Sequence, residues 1–246
     1  IRDYKVTGVQ TCALPICHWA GFAERLAART GAEVRTLDLP GVGSERHRAS
    51  PTSIAGIVED LRGRFTPDGE WGLFAPSLGG MIALEWARRH PRDFARVVVC
   101  NTSARDLAPP WRRFSPLAIW TAALGVVSRD MHRREARTLQ LVSNTTHGRA
   151  HAARFAGFAL EAPVPKATLF RQLFAASRAT APRRIEVPLL VMCSDGDRLC
   201  HPVASRRLAD RLGAPIVVHP TGGHDLPLDD PDWVIEHLCS RSGDPL

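Results

Sequence analysis

Apolar residues along this 246-residue chain alternate between short, nearly unbroken runs and longer stretches in which they recur on one helical face. The runs over 34–39, 96–100, 187–193 and 215–219, and the run from Trp71 that ends in a small-residue turn around Ser77, have the length of strands, and several are apolar enough to be buried on both faces. The stretches between them have a helical period. Over 18–30, Trp19, Phe22, Ala23, Leu26 and Ala27 share a face and Gly31 supplies a stop. Over 51–65, Ile54, Ile57, Val58 and Leu61 do the same, with Thr52 or Ser53 near the start. A helix from Leu78 carries Met81, Ile82, Leu84 and Trp86 and is ended by His90-Pro91, because the residue before a proline resists the helical region. Further helices are predicted over 202–212 and 231–239. Strands alternating with helices imply an α/β fold: a mostly parallel, doubly wound sheet covered on both faces.

This alternation stops between residues 107 and 184, which are helix-like and hold Trp111, Phe114, Trp120, Phe155, Phe158, Phe170 and Phe174. They are read as a helical cap inserted into the core. The division is a first core part over 18–106, the cap over 107–184 and a second core part over 185–246. Most cap aromatics must pack among themselves; Trp111, Trp120 and Phe155 are the candidates to line an apolar substrate site as well.

Composition narrows the class. At 44% hydrophobic the chain has the material for one sizeable core plus an insertion. The net charge of +7 comes from scattered arginine pairs such as Arg88-Arg89, Arg112-Arg113, Arg183-Arg184 and Arg206-Arg207, with lysine only at Lys5 and Lys166. A nucleic-acid surface would gather charge and aromatics on one face, and no stretch does so. The longest apolar stretch, 116–127, is shorter than the ~20 residues a membrane span needs. Six cysteines without a C-x-x-C pair suit a reducing cytoplasm better than a disulfide scaffold. Asp195, Asp197, Cys200 and His201 mix hard and soft ligands at no familiar metal spacing, so neither a metal nor another cofactor is expected.

The chemistry centres on Phe74-Ala75-Pro76-Ser77-Leu78-Gly79-Gly80, where a strand turns into a helix around one serine. A serine hydroxyl is a weak nucleophile unless a base takes its proton and backbone donors receive the oxyanion. A tight strand-to-helix turn provides for both and needs small residues on either side, here Ala75 and Gly79. This A-x-S-x-G pattern resembles the nucleophile elbow of the α/β-hydrolase fold, with alanine at the usual first glycine. The loop Asp38-Leu39-Pro40-Gly41-Val42-Gly43-Ser44 is also similar to one found after an early strand in that family. The resemblance implies a triad in the chain order serine, acid, histidine: Ser77 as nucleophile, Asp197 as the acid with Asp195 as its fallback, and His224 as general base. Asn101 occupies the place where some members carry the acid, and asparagine cannot serve as one. The resemblance also implies Leu78 N–H as one oxyanion donor. The expected activity is cleavage of carboxylic esters or thioesters with an apolar acyl group, through an acyl-enzyme. An acyltransferase or a carbon–carbon-bond hydrolase on the same triad is the nearest rival, and a non-catalytic ligand-binding homologue is the rival from another class.

Residues 1–17 stand apart. They show no sustained period and hold the only tyrosine, Tyr4, and one of the two lysines. Residues 6–16, Val-Thr-Gly-Val-Gln-Thr-Cys-Ala-Leu-Pro-Ile, resemble the in-frame translation of a common sequencing adapter. The segment is therefore expected to be foreign, standing where the family has its first strands and the loop with the second oxyanion donor. Loss of the strand beside the elbow strand would expose two edges unless the segment itself forms a strand there. The chain as it stands is expected to be poorly soluble or nearly inactive.

Overall fold

The computed structural model describes residues 5–9, 21–113, 115, 120, 128 and 130–240. Its centre is a six-stranded sheet of β1 (Lys5–Val9), β2 (Glu33–Leu37), β3 (Trp71–Pro76), β4 (Arg96–Cys100), β5 (Leu189–Ser194) and β6 (Ile216–His219). The spatial order is β2-β1-β3-β4-β5-β6, and every neighbouring pair is parallel. Side chains alternate between the two faces of a strand, and two cores result. Leu73, Ala75, Val97, Val99 and Val191 pack with helices α2 (Ile54–Arg64) and α3 (Leu78–Arg89) on one face. Phe74, Val98, Cys100, Leu190 and Met192 meet α1 (Phe22–Thr30) and the terminal Pro231–Cys239 helix on the other. The mostly parallel, doubly wound sheet read from the strand–helix alternation is the one observed.

Local chemistry sets the element ends. Gly31 adopts φ +68° and its N–H closes α1 on the Ala27 carbonyl. Ser53 caps α2 by accepting from Gly56 N–H at 3.1 Å, so that helix starts at Ile54, inside the predicted span.

The strand beside the elbow strand is present, and the unusual N-terminal segment supplies it. Lys5 pairs with Glu33 on one side and Trp71 on the other, and Gly8 with Thr36 and Phe74. The expectation of missing first strands is corrected at this position, because an extended stretch of five residues suffices to pair two strand edges and needs no sustained sequence period. Val6 is buried in the second core, while Lys5 Nζ donates to the Asp68 carbonyl at 2.9 Å and lies 3.2 Å from its carboxylate. Trp19 and residues 10–18, which stand where the family has the loop with the second oxyanion donor and where that donor was expected to be missing, fall outside the described residues.

Between β4 and β5, in the span expected to be an inserted cap, the described residues form helices Pro110–Arg113, Met131–Val142, Thr146–Ala150, Ala152–Glu161 and Lys166–Arg178. Leu139, Leu141, Val142 and Phe155 form its own cluster with Leu228 of the core. Ala175 and Ala176 join the main core instead, and Gln172 Nε2 donates to the Pro40 carbonyl at 3.4 Å. No helix among the described residues is long and apolar enough to cross a membrane.

Within β1, Thr7 is fully buried and its hydroxyl has no hydrogen-bond partner among the described residues. Leaving such a group unsatisfied costs about 1–3 kcal/mol, so Thr7→Val, which keeps the shape and removes the hydroxyl, should stabilise the fold. A thermal melt should rise by roughly 2–4 °C per kcal/mol gained. A lower midpoint would show that the central strand is held in some other way.

Candidate active site

Ser77 sits between β3 and α3 with φ +52° and ψ −120°, a backbone region that residues with a side chain rarely enter. Three hydrogen bonds hold it there. Ser77 N–H donates to the Cys100 carbonyl at 2.8 Å, and the Ser77 carbonyl accepts from Thr102 Oγ1 at 2.7 Å and from Gly80 N–H at 3.0 Å. The approach to Thr102 demands a glycine, since a Cβ on Gly80 would lie 2.6 Å from that side chain. Ala75, in place of the family's first glycine, is fully buried and accommodated in the elbow. Because α3 begins at Leu78 with Ser77 as its cap, the serine stands at the N-terminus of a helix, where the first N–H groups have no carbonyl of a preceding turn to bond.

The acid and the histidine come from the loops after β5 and β6. Asp197 is almost wholly buried, and its Oδ2 lies 2.7 Å from His224 Nδ1. Its other oxygen accepts from Leu199 N–H at 2.8 Å and Cys200 N–H at 2.9 Å, so the carboxylate is fixed before it meets the ring. With Nδ1–H given to Asp197, Nε2 is the lone-pair nitrogen available as a base. Burial opposes protonation of His224, but the charge and hydrogen bond of Asp197 outweigh it, and the pKa lies above the ordinary 6.5. Burial also pushes the neighbouring Asp225 carboxyl up to about 6. Asp195, the fallback acid, is half-exposed and bonded to Arg206 at 2.6 Å.

Asn101, considered from sequence only as a failed acid, links the two halves. It has φ +46°, and its buried Nδ2 donates to the carbonyls of Gly223 at 3.2 Å and His224 at 2.7 Å. Its Oδ1 accepts from Ser194 N–H at 2.8 Å. The end of β4 therefore bonds to the serine turn through Cys100 and to the histidine loop and β5 through Asn101. Of the expected substrate-lining residues, Trp120 is 65% exposed, and Phe155 is buried in the cap cluster with its ring stacked 5.6 Å from His151. Trp111 lies on the Pro110–Arg113 helix, with a side chain outside the described residues. Among the described residues no three His, Cys, Asp or Glu side chains gather as a metal site.

A parallel sheet with a serine in a left-handed turn after β3, and a buried acid–histidine pair from the loops after β5 and β6, defines an α/β-hydrolase. More narrowly, the chain belongs to the serine aminopeptidase S33 family, whose sequence profile matches residues 17–231. It is 36% identical over 102 residues to the pimeloyl-[acyl-carrier protein] methyl ester esterase of Aromatoleum aromaticum, an alignment covering 38% of this chain and 37% of that protein. The chain thus spans a little over a third of the length of this curated relative. Among solved structures, it is similar to a hydrolase from Pseudomonas aeruginosa PA01 (22% identity, TM-score 0.73, 98% of this chain and 91% of that one). It is also similar to the enol-lactonase of Burkholderia xenovorans LB400 (18% identity, TM-score 0.73, 97% and 90%). At these identities the structural likeness speaks for the fold.

The His224 contacts generate a titration test that needs no substrate. NMR of the imidazole should give a midpoint above 6.5 in the parent chain. In Asp197→Asn the largest attraction to the imidazolium is lost and only the smaller effect of Asp225 opposes burial, so the midpoint should fall relative to the parent, while Asp195→Asn should leave it in place. The opposite ranking of the two variants would transfer the acid to Asp195.

Proposed function

We propose that the chain hydrolyses carboxylic esters or thioesters through an acyl-enzyme on Ser77. The observation that carries this reading is the left-handed backbone of Ser77, a strained position that presents one hydroxyl at the head of α3. In the proposed reaction His224 Nε2 takes the hydroxyl proton as Oγ attacks the carbonyl carbon. Asp197 holds the ring in the required tautomer and stabilises the imidazolium. The oxyanion that forms is received by Leu78 N–H, and the alcohol or thiol departs with the proton from His224. Water then repeats the sequence on the acyl-serine, restoring Ser77 and releasing the acid. Protein groups alone fill these roles.

Similarity to a methyl ester esterase and to an enol-lactonase supports ester chemistry for this chain. For the acyl group, we assign an apolar chain under the cap, with Trp111 and Trp120 as its candidate contacts, since Phe155 is occupied within its own cluster.

A fluorophosphonate, which phosphonylates an activated serine, should label the protein at Ser77 alone. The labelling rate should fall as pH is lowered through the raised His224 pKa, because only the neutral ring accepts the proton. Mass spectrometry of the labelled peptides checks the site. Labelling that persists in Ser77→Ala would overturn the assignment.

A further inference from the structure

Asn144-Thr145-Thr146 has the form of a glycosylation acceptor, yet both protons of the Asn144 amide are committed inside the protein. Nδ2 donates to the Gly196 carbonyl at 2.9 Å and to the Thr221 carbonyl at 2.8 Å. Gly196 immediately precedes Asp197, and Thr221 lies on the loop that leads to His224. One cap side chain thus spans the acid loop and the base loop, and it does so next to the 2.7 Å Asp197–His224 contact.

The backbone around it is held as firmly. The Asp229 carboxylate accepts from Asn144 N–H at 2.8 Å and Gly223 N–H at 2.7 Å on one oxygen, and from the hydroxyls of Ser143 at 2.5 Å and Thr145 at 3.1 Å on the other. Asp225 N–H donates to the Val142 carbonyl at 2.9 Å, and an Arg198 guanidinium nitrogen donates to the Ser143 carbonyl at 2.8 Å. There is no slack in the contact. A Cβ on Gly196 would lie 2.5 Å from the carbonyls of Gly222 and Thr221 and 2.7 Å from Asn144 Nδ2. A Cβ on Gly223 would lie 2.5 Å from the Val142 carbonyl.

We infer that Asn144, seated by Asp229, is a positioning residue that clamps the acid and base loops together from the cap, so that cap placement and the Asp197–His224 geometry are one structural state. This rests on the proposed roles of Ser77, Asp197 and His224. The physical reason is that the two loops leave different strands and share no ladder beyond β5–β6, so their relative position is set by the bonds that cross between them. An amide is suited to this place, since it offers two donors to two converging carbonyls. Aspartate, of the same shape, would set oxygen against oxygen.

The test is hydrolysis of nitrophenyl butyrate by the full chain, with Asn144→Ala made in the parent and in the Asp197→Asn background. In the parent, kcat should fall by about 10- to 100-fold, the penalty typical of a catalytic group misplaced by an ångström, with KM little changed. In the Asp197→Asn background the same substitution should cost almost nothing further, because the contact it positions is already gone. A purely structural side chain would cost the same factor in both backgrounds, or would leave kcat at the parent value; either result overturns the inference. Should Asn144→Ala fail to melt cooperatively, Asn144→Ser, which keeps one donor, enters the same cycle with a smaller expected loss. If neither folds, the clamp is a folding element and the inference falls. Hydrolysis that does not depend on Ser77 would instead overturn the reading of the site itself. Ser77-dependent hydrolysis that is indifferent to Asn144 overturns the clamp alone.

Discussion

The backbone of Ser77 occupies a region that L-residues avoid, and much of the surrounding structure serves to keep it there. A conformation of this kind costs of order 1–3 kcal/mol and persists only where neighbours over-determine it. Here the neighbours are the end of β4, which receives Ser77 N–H on Cys100, and Thr102, which donates to the Ser77 carbonyl across the gap left by Gly80. Both depend on β3 and β4 being parallel and in register from Gly72–Arg96 to Pro76–Cys100. The pairing of these two buried strands thus fixes a serine hydroxyl at the mouth of a helix. A shift of one residue in that register would move Cys100 away from the elbow and turn the strand faces over.

The second half of the site is assembled differently. Asp197 and His224 belong to loops, and loops hold a geometry only when their buried polar groups are satisfied. Asn101 does this from the sheet side and Asn144 with Asp229 from the cap side. Two asparagines and an aspartate therefore enclose the histidine loop with hydrogen bonds to its backbone, leaving the ring itself to Asp197. In a buried site each such bond, if left unmade, would expose a polar group to a cost of about 1–3 kcal/mol, so the arrangement is effectively all or none.

The parts of this plan that were legible in the sequence are those written in local pattern. Helix α3 ends at Arg89 and β4 runs over Arg96–Cys100 as apolar period and His90-Pro91 predict, and the terminal helix occupies Pro231–Cys239. The elbow was visible because small residues around a serine after a strand have few other uses. Two kinds of feature were not legible. One is the strand Lys5–Val9, whose place is set by two neighbouring edges and not by any period of its own. The other is the set of polar residues that work at a distance in sequence. Asn101 read only as a missing acid, and nothing in the local sequence marked Asn144 or Asp229 for this role, since Asn101 and Asn144 bond to loops about 50 to 120 residues away and Asp229 meets Asn144 across 85 residues. A hydrogen bond of that span leaves no periodic trace. The contacts that distinguish the two aspartates, Arg206 on Asp195 and His224 on Asp197, are likewise long-range or between loops and have no sequence signature.

The account stands or falls on Ser77 forming a covalent bond to the acyl group. Rapid mixing with a nitrophenyl ester, followed by acid quenching and mass analysis, measures this directly. It predicts a burst approaching one nitrophenol per active chain and an added acyl mass on the peptide that contains Ser77. An acyl mass on another residue, or steady ester cleavage with no burst and undiminished in Ser77→Ala, would contradict it.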